Sequence, residues 1–132
     1  MFNQVSVPST TEVDHDGVAV LALVGEIDAV TAGATRAKAL AAVDAHPAAL
    51  VLDLSDVEFF GSNGIAIVLE TAQRAELRGI RFVVVAGRRP VLRPLHATGV
   101  DAQLTIHPDL ATALDDLGGS AARVPSARSS GE

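Results

Sequence analysis

Apolar and polar positions along the chain fall into two alternating kinds of segment. Val18 to Val24 is an unbroken run of seven apolar residues that stops at Gly25. Ala49-Leu50-Val51-Leu52-Asp53-Leu54 and Arg81-Phe82-Val83-Val84-Val85 are shorter runs of the same kind. Their length and branched content predict buried strands. The intervening segments show helical spacing instead. Ala34, Ala37, Leu40, Ala41 and Val43 form a stripe with Arg36 and Lys38 outside it, predicting a helix from a cap at Thr31 to about Asp44, ended by Pro47. Ile65, Val68, Leu69, Ala72 and Ala75 form a second stripe, predicting a helix from Asn63 to about Arg78 that Gly79 stops.

The flanks are less regular. A first strand is expected near Phe2–Val7 or Glu12–His15, followed by a tight turn at Asp16-Gly17. Towards the other end, Gly87 and Pro90 open a short helix from Val91 to about Ala97, which Gly99 closes. Leu104-Thr105-Ile106 reads as an edge strand. Asp109 then caps a last helix to Leu117 with Leu110, Ala113, Leu114 and Leu117 on one face. From Gly118 onward Gly, Ser, Ala, Arg and Pro dominate, so residues 1–117 are expected to form the domain and 118–132 a disordered tail. Strands alternating with helices favour an α/β fold whose central strands are parallel. If 18–24 and 49–54 are neighbours, right-handed crossovers bring their ends together, and the turn at 61–64 faces the loop 25–30.

Composition narrows the functional classes. The 132 residues have room for one domain, and 48% hydrophobic content suffices for a core. Only 3% are aromatic, which removes the stacking platforms used to bind single-stranded nucleic acid. A net charge of −6 disfavours a duplex or an anionic membrane as partner, and Arg88-Arg89 with Arg93 reads as a solvated loop. Cysteine is absent, excluding disulfides and thiolate chemistry. No signal peptide or membrane-spanning run is visible, so a cytoplasmic location is expected.

The sharpest local chemistry lies in Gly61-Ser62-Asn63-Gly64, between a predicted strand and a predicted helix. Unsatisfied backbone amides and the helix dipole favour an anion there. Ser62 or Asn63 is placed to cap the helix, the reading local chemistry favours, and a phosphate on Ser62 would also be accommodated there. The two readings are compatible. A hydrolase elbow would need Gly two residues before the serine, where Phe60 stands, and the histidines at 15, 46, 96 and 107 converge on no strand end. Those histidines also lack metal-ligand spacing, and no nucleotide-binding Gly motif occurs, so no metal or cofactor is expected. Glu26 and Asp28 follow the first buried run. Asp28 either ends that strand and helps cap the next helix, or both carboxylates sit beside Ser62. Asp53 reads as a hydrogen-bonded strand-end residue.

Leu50-Val51-Leu52-Asp53-Leu54-Ser55-Asp56-Val57-Glu58-Phe59-Phe60-Gly61-Ser62-Asn63-Gly64-Ile65-Ala66 resembles the signature stretch of STAS domains, and more narrowly that of bacterial anti-sigma factor antagonists. Gly25-Glu26-Ile27-Asp28, the segment Val91–Val100 with its Thr98-Gly99, and Leu104–His107 followed by Leu110–Leu117 agree with the family in order and spacing. The resemblance implies a mixed sheet of four or five strands covered by about four helices mainly on one face. It also implies a non-enzymatic regulator that binds an anti-sigma factor, often a Ser/Thr kinase, and thereby releases a sigma factor. In such proteins the kinase phosphorylates the serine that falls on Ser62, breaking the complex, and a phosphatase restores it. Glu26, Asp28, Gly61, Ser62, Asn63, Gly64 and Ile65 are the implied partner-binding residues. Two positions depart from the family turn: Gly61 stands for its Asp and Asn63 for its second Ser or Thr.

Overall fold

A computed structural model describes residues 9–14 and 16–119. In chain order they form β1 (Ser9–Val13), β2 (Val18–Ile27), α1 (Ala32–Asp44), β3 (Ala49–Phe60), α2 (Ser62–Leu77), β4 (Arg81–Val85), α3 (Arg89–Thr98), β5 (Ile106–His107) and α4 (Leu110–Leu114). A 3-10 turn, Val100–Gln103, precedes β5, and a π turn, Asp115–Gly119, extends α4.

The five strands lie in chain order, β1-β2-β3-β4-β5. β1 is antiparallel to β2, and the remaining pairs are parallel. This order has a geometric consequence. Each parallel connection steps one strand in the same direction, so right-handed crossovers put α1, α2 and α3 on one face. The core confirms it. Leu21, Leu23, Leu50, Leu52, Leu54 and Val84 pack with Ala39 and Val43 of α1, Val68 and Ala75 of α2, and Val91 and Leu95 of α3. Alternate strand residues, Val18, Ala49, Val51, Val83 and Val85, point the other way and meet Ala113 and Leu117. Both faces of the central strands are therefore covered, which is why those strands read as continuous apolar runs. At roughly 1.5–3 kcal/mol for each fully buried Leu or Val, the three-helix face carries most of the hydrophobic stabilisation.

The structure revises several boundaries. The first strand is Ser9–Val13. The segment 2–7 and His15 lie outside the described residues, as do residues 120–132 of the expected tail. β2 does not stop at Gly25 but passes through it at φ 103° and ends at Ile27. Its pairing with β3 shifts register between Ala22 and Val24 and again between Gly25 and Glu26. Glycine at positive φ is what such a bulge needs, and the bulge re-aims the residues after it. β3 likewise runs on to Phe60, six residues beyond Leu54, because Val57 and Phe60 continue into the core. The edge strand is Ile106–His107, not 104–106. The third helix starts at Arg89 instead of Val91, with Pro90 in its first turn, where a missing N–H costs no hydrogen bond.

Candidate partner-docking site

The long parallel pairing of β2 and β3 sets the site. Glu26 stands opposite Phe59 and Ile27 opposite Phe60, so both strands end together. The next residues of each chain segment, Asp28–Thr31 and Gly61–Gly64, thus leave the same sheet edge side by side. Ile65 follows them, half-buried against the core, in the first turns of α2. The β2–β3 register therefore starts the Asp28 loop and the 61–65 segment at the same end of neighbouring strands, the arrangement expected if those strands pair.

Asp28 organises its loop. Its Oδ1 accepts from the backbone N–H of Val30 at 2.9 Å and of Thr31 at 3.1 Å. Thr31 donates its hydroxyl to the carbonyl of Glu26 at 2.9 Å and accepts from the N–H of Asp28 at 3.0 Å. These bonds make a closed Asx-type turn into α1. Thr31 occupies the position before α1, yet it has helical dihedrals and no side-chain bond to a helix amide. The expected Thr31 cap is replaced by this turn, in which the Asp28 carboxylate holds the two amides just before α1 and the Asp28 carbonyl accepts from the first helical amide, Ala32 N–H.

The turn at 61–64 holds a second correction. Neither Ser62 nor Asn63 caps α2. Gly61 occupies the cap position with extended dihedrals, and no side chain accepts from the first helical amides. Ser62 is instead the first helical residue and is exposed. No hydrogen bond holds its side chain among the described residues. The first turn also contains no acidic residue, so the amides at this helix end keep their affinity for negative charge.

The two glycines of the turn play unequal parts. A Cβ on Gly64 would lie 2.5 Å from two ring carbons of Phe60, which is 2% exposed. Only a glycine lets the ring lie under the helix start. Gly61 faces no such limit: a Cβ there would meet the Phe59 ring at 3.4 Å, an ordinary contact, and its φ of −108° suits any residue.

Sequence reasoning missed Phe59 and Val30, exposed by 52% and 67% at this same edge. A signal for Phe59 was present. Adjacent strand residues point to opposite faces, so a core Phe60 obliges Phe59 to face away from it. The arginine trio also differs from the expected solvated loop. Arg88 donates to the carbonyl of Ser55 at 3.0 Å, while Arg89 and Arg93 ride on α3.

His96 approaches Asp101 at 3.4 Å and His107 approaches Asp116 at 3.1 Å, and neither histidine bonds Ser62. Among the described residues no cluster of three His, Cys, Asp or Glu side chains could hold a metal ion, and no helix is long and apolar enough to cross a membrane.

A five-stranded mixed sheet with three crossover helices on one face, and a strand-turn-helix edge presenting an uncapped serine, defines the class: a STAS fold with its signature turn exposed. The STAS domain model matches residues 10–113, and the chain belongs to the STAS family, among the anti-sigma factor antagonists. It is 40% identical over 111 residues to the anti-sigma-F factor antagonist RsfB of Mycobacterium tuberculosis H37Rv, covering 84% of this chain and 90% of that one. A crystal structure of an anti-sigma factor antagonist from Mycobacterium paratuberculosis superposes with TM-score 0.79 at 42% identity, over 86% of this chain and 95% of the other. The anti-sigma factor antagonist SpoIIAA in its unphosphorylated form shares the fold, with TM-score 0.70 at 19% identity over 85% of this chain and 97% of its own.

Proposed function

We propose that this protein is a cytoplasmic, non-enzymatic anti-sigma factor antagonist, with residues 1–117 as its working domain. It docks on a kinase-type anti-sigma factor through Glu26, Asp28 and the segment Gly61–Ile65, and so releases a sigma factor. Phosphorylation of Ser62 ends the complex, and a phosphatase resets it. The observation that carries this reading is the exposed, unbonded Ser62 at an uncapped helix start, beside the Glu26–Asp28 loop. Its relatives' names as antagonists support the class of partner.

The physical logic of the switch follows from the geometry. A phosphate adds ~1.5–2 negative charges at pH 7. The free first-turn amides of α2 accommodate that charge in the free protein. A docked partner must desolvate it next to two carboxylates. A loss of ~3–5 kcal/mol there corresponds to roughly two to four powers of ten in affinity. Pull-down of kinase-type anti-sigma factors from the same organism tests the docking claim. Absence of binding by both the phosphorylated and unphosphorylated protein refutes it.

One observation favours a second reading, a STAS scaffold or ligand sensor without a phosphoswitch. The backbone at Gly61 would accept the family's Asp without strain, so the carboxylate's absence is not forced by the fold. Mass spectrometry after incubation with the bound kinase and ATP separates the two. Unmodified Ser62, under conditions that modify a control substrate, selects the second.

A further inference from the structure

A groove runs beside the turn, between the end of β3 and the start of α3. Its walls are Glu58, Phe59, Arg89, Pro90, Arg93 and Pro94. Phe59 is half exposed, and the two prolines supply rigid apolar surface along the helix. Arg89 and Arg93 are four residues apart on α3, hence on the same side of it, and both are exposed. Neither forms an ion pair among the described residues. Glu58 is the only acid on the groove wall, and its carboxylate lies 3.8 Å from Arg88, outside the pair. In a protein of net charge −6, this leaves two unengaged guanidinium groups beside an exposed phenyl ring.

We infer that this groove is the second half of the docking surface and takes an acidic segment of the anti-sigma factor bearing an apolar side chain. The apolar side chain packs on Phe59 and Pro90, and the acids meet Arg89 and Arg93. The inference rests on the docking reading above and deepens it, because Phe59 also stands opposite Glu26 in the β2–β3 pairing and joins the groove to the turn. The surface is then bipolar, with carboxylates of Glu26 and Asp28 on one side of Phe59 and guanidinium groups on the other. Such an arrangement fixes the orientation of a partner and speeds encounter more than it adds raw affinity. It also makes binding sensitive to salt.

The test uses the full chain, isotope-labelled, titrated with a short synthetic peptide of Glu-Glu-Leu repeats and followed by amide chemical shifts. The control is the same peptide with Gln for each Glu. Shifts confined to residues 58–60, 89 and 91–93, absent with the Gln peptide and weakened about tenfold by Arg89→Glu with Arg93→Glu, support the inference. The double variant keeps its fold, since both residues are exposed and neither forms an ion pair among the described residues, and an acid at 89 suits the first turn of α3; an unchanged melting temperature verifies this. No shifts, shifts elsewhere, or equal shifts with the Gln peptide overturn the groove. The readout needs no anti-sigma factor, so a failed peptide titration leaves docking at the turn standing, and a failed pull-down leaves the peptide result intact.

Discussion

Replacing Gly64 with alanine isolates the contact that shapes the signature turn. An added Cβ would sit 2.5 Å from two Phe60 ring carbons and 3.0 Å from a third. Carbon atoms rest at ~3.5–4.0 Å, so the ring must retreat by about 1 Å. Phe60 is packed in the main core with only 2% exposure, and retreat pushes it against that core. Overpacking of this kind costs roughly 1–3 kcal/mol. The change also brings a gain, because alanine exceeds glycine in helix propensity by up to ~1 kcal/mol. Gly33 supplies the matched control: it lies in the first turn of α1, where an added Cβ meets nothing within 4 Å. Gly33→Ala should therefore raise stability slightly, while Gly64→Ala should lower it, the two differing by about 1–3 kcal/mol. Urea denaturation of both variants gives the comparison from their midpoints, provided the slopes agree. Adding Phe60→Leu to Gly64→Ala should recover part of the loss relative to Phe60→Leu alone, since the leucine vacates the contested space. Equal stability of the two alanine variants would show that the ring contact does not dictate glycine at 64.

Three further outcomes are expected. Thr35 is fully buried and its hydroxyl has no partner among the described residues, whereas the equally buried Thr71 donates to the carbonyl of Ile67 at 2.7 Å; Thr35→Val should stabilise by about 1 kcal/mol in urea denaturation and Thr71→Val should not. Gly61→Asp should supply the missing cap of α2, raising stability by a few tenths of a kcal/mol and increasing the rate at which a cognate kinase modifies Ser62. In acid, the C-terminal segment should loosen first. Bonds from the Thr112 N–H and hydroxyl hold the Asp109 carboxyl below its ordinary value, and a hydrogen bond with His107, then Arg81 nearby, does so for Asp116. Carboxylates with lowered folded values contribute stability that is complete above the unfolded value of ~3.9 and is lost as pH falls through the folded values. Amide exchange in 110–119 should accordingly rise below about pH 4 before exchange in β2 and β3, and Asp116→Asn should flatten that dependence.

The central strands were legible because burial on both faces leaves an unbroken apolar signature, as in Val18–Val24 and Ala49–Leu54. The α2 stripe was legible for a related reason: Val68 and Ala75 recur at helical spacing. What escaped were features decided by tertiary contact. Gly25 looked like a stop, yet pairing with β3 carries the strand through it as a bulge. Val57 and Phe60 prolong β3 because the core receives them, although Asp56 and Glu58 on either side of Val57 break the apolar run. At the candidate site, the nearness of Glu26 and Asp28 to the 61–65 segment followed from strand adjacency once crossover handedness was assumed. The absence of a cap did not follow. Ser62 and Asn63 have good capping chemistry, but the helix begins one residue earlier, so the cap position falls on Gly61. Phe59 and the Arg89–Arg93 groove were hidden because Arg89 and Arg93 meet β3 only through the fold.

The claim at the centre of the account is that the Ser62 turn is a charge-sensitive docking surface. Calorimetric titration of one kinase-type anti-sigma factor with the wild-type chain, Ser62→Ala and Ser62→Glu measures it directly. Wild type and Ser62→Ala should bind with similar affinity, and Ser62→Glu with at least about a hundredfold loss, corresponding to roughly 3 kcal/mol. All three proteins should unfold at similar urea concentration, because Ser62 is exposed and its side chain bonds nothing among the described residues. Equal binding by Ser62→Glu and wild type would contradict the account.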